Sequence, residues 1–116
     1  MVQRLAIAVV LAICGAPLAL GQGTSTQMGF GLSKCSEYVR YRENPAAAAA
    51  FDGWVLGYLS GVNFMLHTSR GVDLLSDQSS EMVATFIGRY CRASPGKSVA
   101  EAANEFWFGL AERARK

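Results

Sequence analysis

Histidine occurs once in this chain, at His67, and cysteine only three times. Neither is clustered with carboxylates at ligand spacing, so the sequence offers no metal site. No glycine-rich loop lies between a strand and a helix, so there is no phosphate cradle. There is no Gly-x-Ser-x-Gly elbow and no Cys-x-x-Cys pair. Asp52, Asp73 and Asp77 read as solvated or capping carboxylates, because nothing around them would split their pKa values. The chain is therefore expected to be no enzyme and to hold no cofactor. Charge is also sparse: eleven Lys and Arg face nine Asp and Glu, a net +2. That balance draws in neither nucleic acid nor an acidic membrane surface.

What is present begins with export. Arg4 is followed by an apolar stretch from Leu5 to Leu20, broken only by Gly15 and Pro17. Ala19-Leu20-Gly21 puts small residues where a signal peptidase reads, so residues 1–21 are expected to be a signal peptide cut before Gln22. Cys14 lies in this apolar core. Leu11-Ala12-Ile13-Cys14 is a poor lipobox, since Ile13 is too bulky, so Cys14 is expected to leave with the signal. The remaining 95 residues suit one domain with a modest core, placed in the periplasm. Arg4 goes with the signal, so ten cations then face nine carboxylates and the net charge is +1. Residues 22–32, rich in Gly, Ser, Thr and Gln, read as a flexible arm. Residues 33–116 read as the folded domain.

The chain is organised around Ala46 to Leu66, an apolar run of 21 residues with a single charge, Asp52. Asn44-Pro45 is a helix start, with Asn44 as N-cap and Pro45 at the first helical position. Gly53, Gly57 and Gly61 share one helix face, one turn apart. Each costs about 1 kcal/mol relative to alanine in a helix interior. The stripe is expected to offset that cost by letting another helix of the bundle approach closely. Phe51, Trp54, Val55, Leu59 and Phe64 surround it, so the segment reads as a buried central helix ending near His67. Its length would cross a bilayer. Asp52 one third of the way in, five alanines and three glycines favour a core helix, and no membrane span is expected in the mature chain.

Three further helices complete an all-α, four-helix, single-domain bundle, one helix short and three longer. The first runs from a Ser33 cap to Arg42, with Cys35, Tyr38 and Val39 on one face. The third starts at Ser76 or Asp77 and carries Met82, Val83, Phe86, Ile87, Tyr90 and Cys91 on its apolar face. Between the second and third, Gly71 is placed to close the central helix in the left-handed conformation. His67 near that end reads as a cation beside the helix C-terminus rather than a general base. Ser98-Val99-Ala100-Glu101 is a capping box that opens the last helix. Val99, Ala102, Ala103, Phe106, Trp107 and Leu110 form its inner face. The run Phe106-Trp107-Phe108 spans about 200° of arc. Phe108 is left on the outside, the foremost candidate partner contact, with Trp107 and Tyr58 beside it as candidates.

Two cysteines remain after export, Cys35 and Cys91, each on the apolar face of its own helix. In an oxidising compartment an even pair reads as a disulfide. It would join the first helix to the third across the central one.

Cys35-Ser36-Glu37-Tyr38, then Trp54, then Tyr90-Cys91-Arg92 running on to Ser94-Pro95 resembles the periplasmic Hde family of acid-stress chaperones, with Ser94 where that family has Asn. The order of elements matches over about two-thirds of the mature chain. The resemblance implies a homodimer at neutral pH that opens in acid and binds unfolded client proteins through apolar surface. The Gly- and Tyr-containing central helix is also similar to the Tai-type immunity family, small exported helical proteins that block cell-wall amidases. That likeness implies a module docking one folded periplasmic partner.

Overall fold

The structure is a computed structural model, and it describes residues 26–116. The expected signal peptide, its cleavage point and Cys14 lie outside the described residues. A 3-10 turn, Gly29–Leu32, precedes four helices: α1 (Cys35–Arg40), α2 (Pro45–Arg70), α3 (Ser80–Ala93) and α4 (Val99–Ala114). Among the described residues there is no strand, only one isolated bridge between Lys34 and Ser98. The all-α bundle of one short and three longer helices is the observed fold.

The helix ends follow their local chemistry. The Asn44 side chain accepts the Ala47 N–H at 3.1 Å, with Pro45 at the first helical position. Gly71 closes α2 at φ 68°, its N–H bonded to the carbonyl of His67. α2 therefore runs to Arg70, one turn beyond His67. Ser98 and Glu101 form the reciprocal capping box of α4, at 3.1 and 2.8 Å.

α3 begins at Ser80 with Ser79 as its cap, not at Ser76 or Asp77. The reason lies in the preceding loop. Asn63 of α2 donates to Asp73 at 2.8 Å and accepts the Leu74 N–H at 2.9 Å, while Asp73 also accepts the Leu75 N–H. These bonds fix residues 73–75 in a turn and press Leu74 and Leu75 half-buried against the core. Met82, expected on the inner face of α3, is 50 % exposed, while Gly88 is buried.

Cys35 and Cys91 form the disulfide, with Cα atoms 4.6 Å apart and both side chains fully buried. It ties α1 to α3 directly, not across α2. The same corner is laced by backbone bonds: Cys35 N–H to Lys97 O at 2.7 Å, Ser36 N–H to Pro95 O at 3.0 Å and Val99 N–H to Ser33 O at 2.9 Å. A six-residue helix cannot hold itself together in water; α1 stands because this corner fastens both its cysteine and its first amides.

The expected flexible arm is also corrected. From Met28 onward it belongs to the packed unit. Phe30 lies 5.0 Å from the ring of Phe51. Gly31 is buried beneath Trp54, where a Cβ would overlap the six-membered ring. Only glycine lets the turn come this close.

Candidate binding surface

α2 buries one row. Phe51, Val55 and Leu59, spaced i, i+4, are 1–3 % exposed and lie in the core with residues of α1, α3 and α4, the Phe51 ring packed on Phe30 and Tyr38. Gly53, Gly57 and Gly61 have the same spacing, offset by two residues, which is about 200° around the helix. When one row faces the core, the other must face away. All three glycines are exposed, and a Cβ added to any of them would meet no neighbouring side chain or other element within 4 Å among the described residues. The expectation that this stripe receives another helix of the bundle is overturned. So is that of a helix buried all round: Phe64 and Met65 are 63 % and 65 % exposed.

The outer face is apolar or small over most of its length. Ala46, Ala50, Gly53, Gly57, Gly61 and Phe64 follow one another at i, i+3 or i, i+4 spacing without a charge. Asp52, the single charge of the segment, turns the other way. It takes the Arg42 guanidinium at 2.6 Å and the Tyr38 hydroxyl at 3.4 Å, and Arg42 lies over the Tyr38 ring at 4.8 Å. Burial pushes the Tyr38 phenol up to about 12, so it stays a neutral donor. This cluster joins α1 to α2. Sequence reasoning read Asp52 as a solvated or capping carboxylate; the available signal was a lone acid in an apolar helix with an arginine just before the helix start.

Beside the outer face runs a groove of about 460 Å³. It is lined by Thr26, Gln27 and Met28 from the segment before the 3-10 turn and by Gly53, Trp54, Gly57 and Tyr58 of α2. The Trp54 and Tyr58 rings stack at 5.2 Å and 7°. The Trp54 indole N–H donates to the Met28 carbonyl at 2.7 Å, and the Tyr58 hydroxyl donates to Asn104 Oδ1 of α4 at 2.6 Å. With their polar atoms satisfied, both rings offer apolar area to the groove.

Of the predicted contacts, Tyr58 is half-buried in this groove and Trp107 is half-buried against the core. Phe108 is 60 % exposed, one turn beyond Asn104 on the outside of α4. The Tyr58–Asn104 bond links the α2 groove to the turn before Phe108, while Trp107 faces inward. Sequence reasoning missed Met28, Phe30, Phe64 and Met65 as surface. The first two sit in the supposed arm, and the others were counted as core because their neighbours were apolar.

No group of three or more His, Cys, Asp or Glu among the described residues is arranged to hold a metal ion. No helix among them is long and apolar enough to cross a membrane. A second cleft, of about 240 Å³, lies between α2 and α3 with Arg42, Asp52, Ser80 and Glu81 at its rim. No family model, curated protein or solved structure matches this chain.

Proposed function

We propose that this is an exported, non-catalytic binding protein that holds unfolded client proteins on apolar surface in the periplasm, in the manner of the Hde chaperones it resembles. The observation that carries this reading is the amount of large apolar side chain left outside a small domain. Met28, Leu32, Phe64, Met65 and Phe108 are each at least 60 % exposed, and the outer row of α2 carries no charge. Adaptable Met and Phe side chains suit partners of varied sequence. Acid supplies the trigger. Below about pH 3 the carboxylates neutralise. The mature chain would then approach +11 from ten Lys and Arg plus His67. Self-repulsion loosens the packing while the Cys35–Cys91 bridge limits expansion. Light scattering of an aggregating client, with and without the protein at pH 2–3 and at pH 7, tests this. Suppression at low pH is expected; its absence removes the holdase reading.

The alternative, an immunity-type module docking one folded partner, is favoured by Phe108, an isolated aromatic on the outer face of α4. A periplasmic pull-down with Phe108→Ala as the control separates the two. One protein lost in the variant supports docking; an unchanged set argues against it.

A further inference from the structure

We propose that the groove between α3 and α4 binds a fatty acid, its carboxylate held by Arg89 and Arg113 and its chain laid over Met82 and Phe86. This stands apart from client binding and can hold or fail without it.

The groove has a volume of about 530 Å³. Met82, Phe86 and Phe106 give it an apolar floor, and one arginine lines it from each helix, Arg89 from α3 and Arg113 from α4. Met82 is 50 % exposed and Phe86 is half-buried, so part of the floor is open to a ligand. The two arginines bend toward the same place. The Arg89 guanidinium carbon lies 5.8 Å from the centre of the Phe86 ring. Arg113 folds back along α4, with Nη1 3.5 Å from where a Cβ on Gly109 would stand. Gly109 is the third residue after Phe106, whose ring packs edge-on against Phe86 at 5.3 Å.

Charge selects the ligand's head. Among the described residues Arg42 is paired with Asp52 and Lys97 with Glu101, while Arg89 and Arg113 have no carboxylate partner. A guanidinium offers paired donors that match a carboxylate, and two of them meet here at the edge of an apolar floor. Glu81, the other charge lining the groove, precedes Arg89 on α3 by about 12 Å along the axis. It repels an anion from its own end, so the head sits beside the two rings and the chain runs toward Met82. The floor selects the body. The main-chain amides of α3 and α4 are bonded within their own helices, so an extended peptide finds no backbone edge to pair with. An alkyl chain needs none, and the flexible Met82 thioether adapts to it.

Titration calorimetry of the exported protein with decanoate at pH 7, below the concentration at which decanoate forms micelles, reads this directly. The expected result is saturable one-to-one binding. Going from octanoate to decanoate should tighten it by up to about fourfold for each added methylene. Decyltrimethylammonium has the same chain and the opposite charge and should bind far more weakly. Arg89→Gln and Arg113→Gln change exposed side chains and should keep the helical spectrum. Each should weaken decanoate binding about fivefold. Arg70→Gln, at the end of α2 and outside the groove, should leave binding unchanged. Absence of decanoate binding overturns the proposal. So does equal binding of decyltrimethylammonium, which means an apolar patch without charge selection. Decanoate binding that survives both arginine changes together places the ligand elsewhere and overturns the site.

Discussion

The two faces of α2 have the same length, the same four-residue rhythm and opposite fates. The inner row, Phe51, Val55 and Leu59, lies in the core beside a disulfide and a laced backbone corner. The outer row, Gly53, Gly57 and Gly61, meets no other element among the described residues. Stability therefore resides on one side of this helix, and the other side is free to bind. Substitutions on the two faces should differ in sign as well as in size.

The largest effect is expected where the inner side is fastened. Replacing both cysteines, Cys35→Ala with Cys91→Ala, releases a closure spanning 56 residues and should cost about 4 kcal/mol in the chain-entropy account. Urea unfolding of the oxidised protein against the variant checks it. Leu59→Ala comes next. It empties a site 1 % exposed and should cost about 3 kcal/mol by the same measurement. If this loss is under about 1 kcal/mol, the inner row is not the core row.

Gly31→Ala sharpens the contrast among glycines. Unlike the outer three, Gly31 lies under Trp54, and its added methyl must push the indole away. A loss of about 1–3 kcal/mol is expected, with a shift in tryptophan fluorescence as the Met28 bond is disturbed.

Much of this was legible in the sequence. Asn44-Pro45 and the Ser98/Glu101 box are local signals, and each marks a helix start where it was expected; Gly71 closes α2 in the left-handed conformation, the helix running three residues beyond the end expected at His67. The Cys35–Cys91 pairing was legible from the cysteine count together with the expectation of export. The inner face of α4 follows from spacing, and Phe108 is outside because Phe106 and Leu110 must be inside. The orientation of α2 was not legible. Both of its rows repeat at four residues, and an apolar run with one charge does not say which side is covered. The start of α3 was hidden for a different reason. Asn63 and Asp73 are ten residues apart, and their bond holds the loop in a turn where local propensity alone would begin a helix. The turn at Gly29–Leu32 depends on Trp54, more than twenty residues away, which no local pattern shows.

The smallest effect is expected in acid, at the end of α2. The Asn63 side chain and the Leu75 N–H donate to Asp73 and hold its carboxyl below the usual range. A depressed folded pKa gives stability that is complete above the unfolded value, near 3.9, and is lost as pH falls through the lower folded value. Asp73→Asn should therefore remove part of the fall in the urea midpoint below about pH 4 and leave the curve's shape near neutrality. An unchanged acid limb would show that this loop bond contributes nothing.

The central claim is that the glycine row of α2 is free of every other element among the described residues. Thermal unfolding of dilute protein with Gly53, Gly57 and Gly61 all changed to Ala tests it most directly. Each alanine gains about 0.5–1 kcal/mol of helix stability where nothing is crowded, so the midpoint should rise by several degrees. A falling midpoint would mean that those glycines lie against a neighbour in the folded monomer, and would contradict the account.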